Sequence, residues 1–208
     1  AEPFDLQALQ QIDANIGFTA DQILAHRFAL DKFKLNLGLK KGHLVIKPLT
    51  TDIGGGSLSG SLDLLAKKRH ANLTTIITAK KLNLGEMLKK LEITQDLDGV
   101  LDVTINLKGQ GQSIADLMAG LNGDIIGILS EGQMPVKYID LVGADLTSSL
   151  LKIVNPFEKK IERAQINCAV CDFNINDGLA KSDIIMIDDP EKTLFSSGTI
   201  NLKTEGLD

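Results

Sequence analysis

The sequence predicts an α+β fold that is mostly β: an extended, curved antiparallel sheet of long hairpins, groove-like, with about three helices packed against it. Three observations predict it. Apolar residues recur at every second position in run after run, which is the period of a half-buried strand. Gly, Asn-Asp and Asp-Gly clusters separate the runs, as hairpin turns require. The 43% hydrophobic content includes only 4% aromatics and no Trp, so the apolar matter is Leu, Ile and Val. Those residues suit pleated surfaces and aliphatic faces.

Taken in order, Leu35, Leu37 and Leu39 alternate with polar or small residues and meet Gly42, and Leu44 and Ile46 follow on the return. After the bend "GGGSLSG" (54–60), Leu58, Leu62 and Leu64 alternate again. Leu101, Val103, Ile105 and Leu107 in "LDVTINLKG" give the cleanest strand, and "SDIIMIDD" (182–189) and "GTINLKT" (198–204) add two more. Three segments change to helical spacing. Leu84, Met87, Leu88 and Leu91 fall at i, i+3, i+4 and i+7, with Asn83 as N-cap and Glu86 behind it. Ile114, Leu117, Met118 and Leu121 repeat the pattern over 114–121, with a Ser113/Asp116 capping box and Gly123 as the stop. A third helix is expected over about 136–154, between Pro135 and Pro156. Each carries one narrow apolar stripe and so packs on the sheet. A pattern Gly-x-apolar-(Asp/Asn)-apolar recurs as "GSLDL" (60–64), "GVLDV" (99–103) and "GTINL" (198–202), one hairpin-like unit repeated.

Motifs that carry chemistry are missing. His26, His43 and His70 sit in separate segments without metal-ligand spacing, and neither a nucleophile elbow nor a phosphate loop occurs. "GQGQS" (109–113) reads as a hairpin exit followed by a helix cap, and Asp188-Asp189-Pro190 as a turn. Cys168 and Cys171, the two cysteines, lie three apart in a strand-like run. They therefore point to opposite faces, about 10 Å apart at about 3.3 Å per residue, beyond disulfide reach. They read as packing residues, with no disulfide and no metal site. The net charge is −5 and the basic residues are scattered along the sequence, which argues against a nucleic-acid partner. No apolar run is long enough to span a bilayer. No catalytic residue and no cofactor are expected, and the chain reads as non-enzymatic.

The run "INCAVCDFNINDGLAKSDIIMIDDPEKTLFSSGTINLKTEGLD" (166–208) resembles the C-terminal region of the AsmA family of Gram-negative bacterial proteins. Its pattern there is a Cys in a strand, F-x-apolar-x-D-G, a strand, a short turn, then G-x-apolar-x-L. "DGVLDVTINLKGQGQSIADLMAGLNGDIIGILSEGQM" (98–134) is similar to the preceding strand–helix–strand, and 37–64 to the hairpin before it. The resemblance is most specific over 98–134 and 166–202. Ser196 stands where many relatives have glycine, and the family's N-terminal membrane anchor is not in this sequence.

The resemblance implies residues 1–208 as a single AsmA-like β-groove domain, a fragment of a longer chain. It implies a location in the periplasm, tethered to the inner membrane through the missing anchor, and a part in outer-membrane biogenesis. It also implies a relationship to bridge-like lipid-transfer proteins, whose repeated hairpins form an apolar groove. Phospholipid is then the expected partner, with envelope proteins as further partners. The expected lining is Leu35, Leu37, Leu39, Leu44, Ile46, Leu62, Leu64, Leu101, Val103, Ile105 and Leu107. The alternative is a scaffold for outer-membrane protein assembly with a closed core and no lipid, in which Leu88, Leu117 and Leu121 cover those same positions.

Overall fold

Each strand pairs with the one before it in sequence. The computed structural model describes residues 3–25, 27–136, 163–204 and 206–207. Among these residues eleven strands run antiparallel in one sheet in strict sequence order. They are β1 (Ala14–Ala25), β2 (Phe28–Lys40), β3 (His43–Ile53), β4 (Gly56–Ala66), β5 (Ala71–Asn83), β6 (Asp98–Gly111), β7 (Asn122–Pro135), β8 (Arg163–Asn176), β9 (Leu179–Asp188), β10 (Thr193–Asn201) and β11 (Gly206–Leu207). Three short helices accompany them among the described residues: α1 (Leu6–Gln11), α2 (Leu84–Lys90) and α3 (Ile114–Ala119). The mostly β class of long hairpins with helices against a sheet is the one expected.

Three hairpins turn on two residues that both have positive φ: Lys41-Gly42 (51° and 80°), Gly54-Gly55 (57° and 76°) and Asp177-Gly178 (45° and 74°). That conformation matches the twist of the flanking strands and favours glycine at its second position. The turns set the register beside them, and bulges between Asp31 and Lys34, between Ile46 and Leu49 and between Ala79 and Leu82 shift it farther along the strands. The capping expectations hold as well. Asn83 accepts from Glu86 N–H at 2.8 Å, and Ser113 accepts from Asp116 N–H at 3.2 Å.

The sheet is open and uncurled, with no pairing between its first and last strands among the described residues. A sheet closes only when its two edge strands meet, and here they do not. Several expectations need correction. α3 ends at Ala119 with Gly120 as its cap, so Gly123 is not its stop and already lies in β7. The helix expected over 136–154 lies outside the described residues beyond Val136, and α1 is an element that the periodicity did not indicate. β1 and β5 were not indicated either. In β5 the doublets Thr74-Thr75 and Ile76-Ile77 blur the period, and Lys81 (φ 55°) inserts an extra residue, so Ala79 and Leu82 share a face.

Candidate functional site

Antiparallel partners share a face, so the strand registers sort every side chain to one side of the sheet. All of the expected lining residues fall on the same side. Leu39, Leu44 and Leu64 form one row, continued by Leu73. Leu37, Ile46, Leu62, Thr75 and Leu107 form the next, running from Ile16 on β1 to Gly123, Ile175, Ala180 and Ile200. Nine strand spacings of about 4.8 Å make that row about 43 Å long. Leu35 lies in a third row with Leu49, Gly60, Ile77, Ile105, Ile125 and Phe173. Val103 stands between Ala79 and Gly127, and Leu101 between Leu82 and Leu129. The opposite side is mainly polar over β2–β6, with Lys34, Asn36, Lys40, Asp63, Thr74, Thr78, Thr104, Asn106 and Lys108 and with Val45 and Ile76 among them, and turns more apolar over β7–β9, with Ile126, Ile128, Val170, Ile184 and Met186.

The short helices frame this face at the strand ends. α1 seats Leu6 against Ala66 and Ala71 beside Leu64. α3 covers the end of β6, where glycine is required: a methyl group on Gly111 would collide with Leu117 N, and one on Gly109 would lie 3.2 Å from Leu121. "GQGQS" is thus a close-packing site for a helix. α2 closes the other end, with Leu84 packed into the cluster of Leu101, Leu129, Met134, Ile166 and Ile187. Arg27, at the tip of the first hairpin, donates to Lys90 O at 3.1 Å and pairs with Glu92 at 3.0 Å.

Between these ends the face is only partly covered. Leu39 is buried; the other ten expected lining residues are half-buried. Leu117 on α3 and Leu121 just beyond its end are buried; Leu121 packs in a cluster that takes in Leu107, yet α3 lies over the ends of the strands, not over Leu37, Leu62 or Ile105. Leu88 is half-buried on α2.

Cys168 and Cys171 are free and point to opposite sides: Cys168 faces Ser130 and Asp188, whereas Cys171 faces Gly127 and Ile185 on the aliphatic side. His43 lies 3.0 Å from Asp63 on the polar side, and His26 lies outside the described residues. Among the described residues no three His, Cys, Asp or Glu side chains are grouped to hold a metal ion, and no helix is long and apolar enough to cross a membrane. The sequence reading missed that the basic residues gather in space. Lys40 and Lys41 lie in the turn next to the loop that carries Lys67, Lys68 and Arg69.

The model of the AsmA family matches residues 1–185. The chain belongs to the AsmA family. It is 23% identical over 206 residues to the AsmA family protein YhjG of Escherichia coli (strain K12), an alignment covering 99% of this chain and 29% of that protein. The chain thus spans under a third of the length of that curated relative. No solved structure matches. Membership makes this an AsmA-like envelope protein with a β-rich sheet.

Proposed function

We propose that this chain is a non-enzymatic periplasmic domain that binds or guides phospholipid acyl chains along its aliphatic face. In the full-length protein it would be tethered to the inner membrane and act in outer-membrane biogenesis. The observation that carries this reading is the continuous aliphatic face, floored by Leu37, Ile46, Leu62, Ile105 and Leu107 and left partly exposed between helix-covered ends. An acyl chain laid on it would gain about 0.8 kcal/mol per buried CH₂ without any directional contact. A lining of Leu, Ile and Val offers that gain to any aliphatic tail and discriminates little among them. Partial coverage by α1, α2 and α3 is also what separates the reading from a closed-core scaffold, which would need the central rows covered.

Photo-crosslinking tests it directly. A benzophenone side chain placed at Leu37 or Ile105, on the aliphatic side, should crosslink to phospholipid in cells or in vesicle mixtures. The same probe at Asn36 or Thr104, on the polar side, should not. Equal labelling from both faces would sink the proposal.

A further inference from the structure

Where α1 crosses the sheet end, the β2–β3 turn and the β4–β5 loop lie side by side. Ala66 N–H donates to Gly42 O at 2.8 Å, and Leu65 stands opposite His43. That adjacency gathers Lys40, Lys41, Lys67, Lys68 and Arg69, all exposed, in a chain whose net charge is −5. Among the described residues, none of the five makes an ion pair. The nearby carboxylates have other partners: Asp13 accepts the Lys41 backbone N–H at 3.0 Å, and Asp63 faces His43 at 3.0 Å. Beside the cations stands Ile12, 54% exposed, directly after the helix whose Gln10 donates to Ala66 O at 3.3 Å.

We infer that this corner docks the protein onto an anionic bilayer surface. A cluster of cations with an exposed aliphatic side chain matches phosphate headgroups above acyl chains. Nucleic acid would want a stacking platform, and no exposed aromatic stands among these residues. The corner also sits at one end of the aliphatic face, so docking there would bring that face to lipid. The inference goes beyond the acyl-chain reading and is testable apart from it.

The test is co-sedimentation of the 208-residue chain with vesicles of phosphatidylcholine alone or with phosphatidylglycerol added. Binding should require the anionic lipid and weaken with added salt. Each cation near such a surface contributes about fivefold in partitioning, so Lys67→Gln/Lys68→Gln/Arg69→Gln should lose on the order of a hundredfold. The charge-keeping Lys67→Arg/Lys68→Arg variant should bind normally, and circular dichroism should show both variants folded. Val103→Asp separates the two proposals, because it should leave vesicle binding intact even where acyl-chain uptake fails. Vesicle binding that ignores lipid charge, or survives the triple substitution, overturns the inference. So does equal capture of a DNA duplex, which would mark the corner as a general polyanion surface.

Discussion

Replacing Val103 by Asp separates an open aliphatic face from a closed core. Val103 is half-buried between Ala79 and Gly127, two neighbours too small to enclose it. Full burial of a valine is worth about 1.5–3 kcal/mol, so the half-buried side chain forfeits about 1 kcal/mol on replacement. Aspartate is also a poor strand residue, by up to about 1 kcal/mol. Because water reaches the site, the carboxylate keeps its hydration and the larger penalty of a buried charge does not apply. The sum, about 2 kcal/mol, is a fraction of the roughly 5–15 kcal/mol that holds an ordinary domain. Urea titration followed by circular dichroism should therefore show a cooperative transition at a lower midpoint with an unchanged slope. A variant already unfolded at room temperature in buffer would refute the reasoning, because only a closed core punishes a charge that severely.

Other consequences are local. Ile166 is fully buried in the cluster beneath α2, so Ile166→Ala should cost about 2–5 kcal/mol, read as a drop in melting temperature larger than that of Ile105→Ala. Ser113→Ala removes the cap of α3 and should cost about 1 kcal/mol by the same titration. Asp188 is held below the ordinary carboxylate range by the Thr193 hydroxyl and then the Asn167 amide. Its folded pKa is depressed, so its contribution is present above the usual aspartate pKa and lost as pH falls through the folded value. NMR titration should find it low and should find Thr193→Ala moving it upward. Mild oxidation of the purified chain should yield no Cys168–Cys171 crosslink by mass, since the two side chains face opposite sides of β8.

Much of this architecture is legible in the sequence because period-two patterning is itself a geometric statement. Once a two-residue turn such as Lys41-Gly42 fixes the register, Leu37 must oppose Ile46, whereas Leu62 comes opposite Ile46 because a bulge between Ile46 and Leu49 shifts by one residue the register that Gly54-Gly55 sets. The expected lining shares one face for that reason. Legibility fails where a bulge changes parity, as at Lys81, and where an edge strand needs no sustained pattern, as in β1. The extent of coverage is not legible either. α2 and α3 announce themselves by their caps, but where they sit along the strands depends on close approaches such as Leu117 over Gly111. The cationic corner escapes a linear reading altogether. Lys40-Lys41 and Lys67-Lys68-Arg69 are separated by a whole hairpin in sequence, and the Gly42–Ala66 and His43–Leu65 contacts join them.

Native mass spectrometry of the purified chain, with solvent extraction of whatever it carries, tests the lipid-handling claim most directly. The account predicts a co-purifying phospholipid that is absent from Val103→Asp. A clean mass for the wild-type chain, with no uptake after incubation with liposomes, would contradict it.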